Sequence, residues 1–163
     1  MKVKTYVITV SQFFPTDHQK KGQPTGFVSS IGHKVKIHTI RQNFKLWEKR
    51  IEQVMEGNAV LSLRFWSGKP YQSKQVEFFR LTKSDGVGIE KFQMTTEGFL
   101  INNVDHKIKF ETLAKNDGLT FEDFKDWFKK VKPNSEPMAI IHFTNYRYSN
   151  EIDVIDPEII KHQ

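Results

Sequence analysis

Residues 138–148, MAIIHFTNYRY, open with four apolar side chains in succession, a run that constrains the fold more than any other stretch. An extended strand turns alternate side chains to opposite faces, so a strand apolar on both faces needs cover from two sides. This segment is expected to be a central strand, and the rest of the chain has to supply its cover.

Two helices are expected to supply part of it. Phe44, Trp47, Ile51 and Val54 recur at helical spacing; Asn43 before them can cap the first turn, and Gly57 after them can close the last. In GLTFEDFKDWFKKV, residues 118–131, Thr120 and Asp123 stand in capping-box positions, and Phe121, Phe124 and Phe128 fall on one stripe. Strands are expected elsewhere. KVKTYVITV, residues 2–10, alternates polar and β-branched positions; residues 58–82 read as two strands joined by a loop with Gly68 and Pro70; residues 86–95 read as a third. Residues 12–34 carry Pro15, Gly22, Pro24, Gly26 and Gly32, too many breakers for a regular element, and are expected to be a long loop. Asp156 and Pro157 can begin a terminal helical turn.

Strand, long loop, helix, several strands, helix, strand is not a βαβ alternation, which excludes a doubly wound sheet. The order fits a single α+β domain over residues 1–163: a small mixed β-barrel or strongly curved sheet of about five to seven strands, with two main α-helices at its openings. A chain of 163 residues suits one core. Fourteen Phe, four Tyr and three Trp can fill it and still leave aromatic faces for recognition.

The absence of cysteine excludes disulfides, thiolate zinc sites and a cysteine nucleophile, leaving Ser, Thr, Lys and carboxylates for any chemistry. A formal charge of +6 points to an anionic partner, nucleic acid being the commonest. No apolar run approaches the roughly 20 residues of a membrane span, and MKVKTYVITV is too short and too alternating for a signal peptide. A cytoplasmic protein with no membrane partner is expected.

Residues 34–47, KVKIHTIRQNFKLW, place Lys34, Lys36, His38, Thr39 and Arg41 directly before a helix start. A second candidate surface is RFWSGKPYQSK, residues 64–74, where Arg64, Lys69 and Lys74 interleave with Phe65, Trp66 and Tyr71. Bases stack on aromatic faces while phosphates pair with cations, so this mixture suits single-stranded nucleic acid. The competing reading makes Phe65 and Trp66 core residues and the lysines a solvated loop. Tyr146, Arg147 and Tyr148 in NYRYSN repeat the mixture on a smaller scale, and there the structural reading is preferred. His33 lies near His38, and His106 follows Asp105, but no pair has metal-site spacing, so no metal is expected; His38 and His142 are expected to hydrogen-bond within the fold or touch a ligand. The glycines of SDGVGIEKF do not open a helix after a strand, as a dinucleotide fingerprint must, and no cofactor is expected.

KIHTIR resembles the K-x-x-T-x-R signature of the ASCH domain family, part of the PUA-like superfamily of small β-barrels, with Lys36, Thr39 and Arg41 at its three positions. The following helix, the run of strands, NDGLTFEDFKDWF and the closing strand extend the resemblance over about residues 30–148. The frame also resembles an uncharacterised bacterial and phage ASCH-like subgroup. The family sets a glycine two residues before its lysine. Gly32 has that spacing to Lys34, while Lys36 has the correct distance to Thr39, so either lysine can take the role.

The resemblance implies two functions. Most ASCH domains are inferred to bind RNA or nucleotides, including modified nucleosides, in the barrel cleft. One branch hydrolyses the amide of N4-acetylcytidine with the motif threonine as nucleophile, the lysine as base and a downstream glutamate. By position those roles fall on Thr39, Lys36 and Asp117, the last one methylene shorter than glutamate; Glu77, Glu90 and Glu122 are alternatives that the sequence does not locate.

The preferred expectation is RNA or nucleotide binding in a basic cleft lined by Lys36, Thr39 and Arg41, with Lys69, Tyr71, Trp66 and Asp117 nearby. Amide hydrolysis is the alternative. For either, the segment must bend, because in a regular strand positions 36 and 39 point to opposite faces. A purely structural account would leave Lys36 and Arg41 as surface charges and Thr39 as a cap or ladder residue. A protein-interaction module would instead present a broad exposed apolar patch.

Overall fold

The structure is a computed structural model that describes residues 2–105 and 108–152. His106 and the turn expected at Asp156–Pro157 lie outside them. The elements run β1 (Lys4–Thr9), α1 (Phe27–Gly32), β2 (His38–Arg41), α2 (Phe44–Met55), β3 (Ala59–Trp66), β4 (Gln75–Leu81), β5 (Gly88–Met94), β6 (Phe99–Ile101), α3 (Phe110–Asn116), α4 (Phe121–Trp127), β7 (Met138–His142) and α5 (Ser149–Ile152).

This is the mixed α+β architecture expected. Hydrogen bonding groups the seven strands into two sheets, with orders β1-β3-β4 and β2-β7-β5-β6, and among the described residues it does not join them into one closed ring. β1 and β3 are parallel, Lys4 opposite Ala59 and Thr9 opposite Arg64; every other ladder is antiparallel. β7 is central, as its apolar run requires: it pairs with β2 and β5, and all five of its residues are buried.

Helix α2 joins the two sheets. Asn43 accepts a hydrogen bond from the Leu46 N–H, fixing the first turn, and Trp47, Ile51 and Val54 turn inward against β3, β5 and β7. Leu61 and Leu63 on β3 and Ile140 and Ile141 on β7 are fully buried. Thr120 caps α4 in the same manner by accepting from the Asp123 N–H.

The stretch 12–34 departs from the expected loop in one place. Phe27–Gly32 is helical, because Gly26 supplies the left-handed conformation that starts the turn (φ +73°) and Phe27 and Ile31, one turn apart, both find the core. The remainder is irregular and clamped onto α4. His18 bonds the Asp123 carbonyl at 3.0 Å, the Gln19 N–H bonds Asp126 Oδ2 at 2.7 Å, and Lys20 pairs with Asp123 at 2.6 Å. Phe14, Phe27 and His18 gather around the Trp127 ring, with centroids 5.6–5.9 Å from it. Of this stretch, Phe27 on α1 lines the site described next. Among the described residues no helix is long and apolar enough to cross a membrane.

Candidate functional site

The segment carrying Lys36 is bent before β2 begins. Lys34 takes a left-handed conformation (φ +57°), and the N–H groups of Val35 and Lys36 both donate to the Ser30 carbonyl at the end of α1. The Ile37 N–H then bonds the Asn116 carbonyl at 2.8 Å, tying the segment to the C-terminus of α3. A straight strand would have separated positions 36 and 39; this turn brings both to one cavity.

That helix end is shaped to receive the lysine. The Leu119 N–H reaches back to the Ala114 carbonyl and the Gly118 N–H to Lys115, the paired bonds of a Schellman motif, with Gly118 left-handed at φ +80°. A Cβ on Gly118 would lie 3.0 Å from the Lys36 Cβ, so the bare glycine also lets the lysine stem lie against the turn. The Lys36 ammonium donates to the Asp117 carbonyl at 2.7 Å and to its carboxylate at 2.9 Å, and stands 4.3 Å from the Phe27 ring centroid. A cation at a helix C-terminus also meets the negative end of the helix dipole.

Lys36 and Asp117 are only 3% and 4% exposed, so the account of Lys36 as a surface charge is contradicted. Burial drives the Lys36 amine below its ordinary range, and Asp117 opposes that shift only in part. Burial pushes the Asp117 carboxyl the other way, but Lys36 and His38 outweigh it and hold the group below the usual carboxylate range.

Behind Asp117 runs a second row of buried polar groups. Asn116 donates through Nδ2 to the Tyr148 hydroxyl at 3.0 Å, which leaves the hydroxyl proton for His38 Nε2 at 2.6 Å. On neutral His38 the ring proton then resides on Nδ1, 3.4 Å from Asp117 Oδ1, an approach too poor in geometry for a full hydrogen bond. Burial keeps His38 below its ordinary pKa and lifts the Tyr148 phenol above its own, so both stay neutral at pH 7. His142, opposite His38 on the neighbouring strand, bonds Glu90 at 2.8 Å, and burial pushes its pKa down to about 4. Glu90 also accepts from the N–H groups of Tyr148 and Ser149 and from Asn102, fixing the segment that delivers the Tyr148 hydroxyl.

In front of Asp117 a cavity of about 330 Å³ opens, and Lys36, Thr39, Arg41 and Asp117 all line it. Thr39 and Arg41 share one face of β2, as alternation requires. Thr39 is also a ladder residue opposite Ile141, and no described residue takes a hydrogen bond from its hydroxyl. Arg41 is half-buried and donates to the Thr9 carbonyl at 2.5 Å. Burial lowers its pKa, while the Asp117 carboxylate favours its charge. Phe27, Trp127 and Phe128 supply apolar wall. The arrangement offers one guanidinium, one free hydroxyl and aromatic surface, with an ion pair at the back.

Comparison with models of known protein families, with curated proteins and with solved structures gives no match.

Of the two lysines left open by the sequence, Lys36 lines this cavity and Lys34 does not; both line a different hollow beside Phe79 and Asn145. The expectation that Lys69, Tyr71 and Trp66 help to line the cavity needs correction, since none of them does. The β3–β4 hairpin projects into solvent: Tyr71 is left-handed (φ +64°) and 88% exposed, and its ring lies 5.1 Å from that of Trp66. Glu77 bonds Ser62 and Arg80, Glu122 pairs with Lys125, and Glu90 stands behind the site, so none of the three lines the cavity in place of Asp117. Tyr148 and Asn116, which the sequence reading did not assign to the site, reach it only through contacts 110 and 32 residues apart along the chain.

Proposed function

We propose that this chain is an ASCH-like member of the PUA-like class and binds RNA or a nucleotide in the cavity bounded by Lys36, Thr39, Arg41 and Asp117. The observation that carries the reading is the convergence of all three K-x-x-T-x-R side chains on one concavity of about 330 Å³. That volume falls within the roughly 300–1,000 Å³ of small-molecule sites. Arg41 offers a guanidinium able to bond a base edge or phosphate bidentately. Thr39 offers a hydroxyl that both donates and accepts, and the half-buried Trp127 and Phe128 offer aromatic surface for a base to stack on. Closure of the two sheets into a PUA-like barrel belongs to the same proposal.

Binding rather than hydrolysis is preferred because of Lys36. To activate Thr39 the amine must be neutral and free to take its proton, and here it already donates to the Asp117 carbonyl and to one of its carboxylate oxygens. Its depressed pKa is the one feature that favours the hydrolytic alternative. In that reaction the Thr39 oxygen would bond to the acyl carbon, its proton would pass to Lys36 and on to the departing amine, and water would then cleave the ester.

A labelled single-stranded RNA titrated into the protein tests the reading. Binding that survives moderate salt and weakens at least tenfold in Arg41→Ala supports it, and binding unchanged by that substitution rejects the site. Acetate release from N4-acetylcytidine that is lost in Thr39→Ala would instead favour the hydrolase.

A further inference from the structure

A second, larger hollow of about 680 Å³ abuts the candidate site. The two share Gln42, Lys130, Val131 and Met138 as common wall. Their linings differ in kind. The first carries the motif residues and three aromatic rings; the second sets Lys45, Lys91, Lys130 and Lys132, with the single carboxylate of Glu136, around apolar surface from Phe44, Val131, Pro137 and Met138. Lys130 pairs with Asp17 at 3.0 Å. Among the described residues Lys45, Lys91 and Lys132 have no carboxylate partner, and Lys91 instead rests 5.1 Å from the Phe44 ring.

Several unpaired ammonium groups around one concavity repel each other unless an anion joins them. Phosphate suits them better than carboxylate metabolites do, because the neighbouring compartment has the dimensions and stacking surface of a nucleoside site. We infer that the second hollow is the phosphate compartment of the ligand held in the first. The protein then takes a nucleoside that carries phosphate, either as the next links of a single strand or as a terminal polyphosphate, in preference to a free nucleoside. This rests on the functional reading above and narrows it. Lys45 and Lys132 contact the phosphates from the exposed rim, Lys91 from the floor, and Lys130 stands where the two compartments meet.

The test uses the whole chain and the variant Lys45→Gln/Lys132→Gln, both exposed positions outside the first cavity. Cytidine, cytidine triphosphate and a cytidine hexanucleotide are each titrated across a range of salt. The expected result is unchanged affinity for cytidine. Alongside it the variant should lose about tenfold in affinity for at least one phosphorylated ligand, and for the hexanucleotide its salt slope should fall by about 1.4, near 0.7 per lost contact. Loss for the hexanucleotide alone identifies a strand, and loss for the triphosphate alone identifies a mononucleotide. Equal affinities of variant and parent for every phosphorylated ligand, with binding still abolished by Arg41→Ala, would overturn the phosphate compartment and leave the first site standing. If the parent binds none of the three, the functional reading itself fails and this inference falls with it.

Discussion

The Lys36 ammonium meets the Asp117 carboxylate at 2.9 Å across 81 residues of chain, both side chains withdrawn from water. Such a pair is tolerated only while each member satisfies the other. Asp117→Ala should strand the ammonium and lower stability by about 3–5 kcal/mol, whereas Lys36→Met/Asp117→Leu, which removes both charges and keeps the volume, should lose far less. Urea unfolding of the two variants checks this. Equal losses would mean that the charges are not coupled.

Gly118 gives a sharper probe of the same junction. Its left-handed backbone and its contact with the Lys36 stem both oppose a Cβ, so Gly118→Ala should lower stability by roughly 1–2 kcal/mol from conformation, with the 3.0 Å contact adding to it. Gly22 shares the conformation (φ +76°) but has nothing within 4 Å of its Cβ position, so Gly22→Ala serves as the control. Thermal unfolding should rank Gly118→Ala below Gly22→Ala; the reverse order would deny the close packing of lysine on glycine.

Stability should fall with acid in two stages. His142 has a folded pKa near 4 against an ordinary 6.5, so the unfolded chain takes up the proton first. Stability then falls as pH drops from about 6.5 to about 4, by on the order of 3 kcal/mol for this group. Asp117 and Glu90 are held below the ordinary carboxylate range, so their contribution is full above it and is lost as pH falls through their depressed values. Urea midpoints measured from pH 7.5 to pH 3.5 should decline throughout, and His142→Gln should flatten the upper part. A flat wild-type profile above pH 5 would contradict the assignment to His142.

Elements whose causes are local could be read from the sequence. Asn43 and Thr120 cap α2 and α4 through residues three positions on, and the apolar run at Met138 places β7 between two neighbours. The missed elements are short and held from outside. α1 occupies six residues amid glycines, and α3 fully buries only Leu113 and Ala114, with Phe110 half-buried beside them, its end fixed by the turn at Gly118. The division into two sheets depends on β1 pairing in parallel with β3, a choice that no local pattern encodes.

The site divides in the same way. Lys36, Thr39 and Arg41 are legible because one short segment carries them. Asp117 is legible only through the family resemblance, and Tyr148 and Asn116 are not legible at all, since their partners come from distant chain. The basic aromatic hairpin misleads because composition says what a loop can bind and nothing about where it points. Tyr71 points to solvent.

The point of contact with nucleic acid distinguishes the cavity from the hairpin. Single-stranded RNA bearing 4-thiouridine should be crosslinked to the protein by near-ultraviolet light and the attached peptides identified by mass spectrometry. Crosslinks are expected in residues 36–42 or 117–131, the walls of the cavity. Crosslinks confined to residues 66–74, with the cavity peptides unmodified, would contradict it.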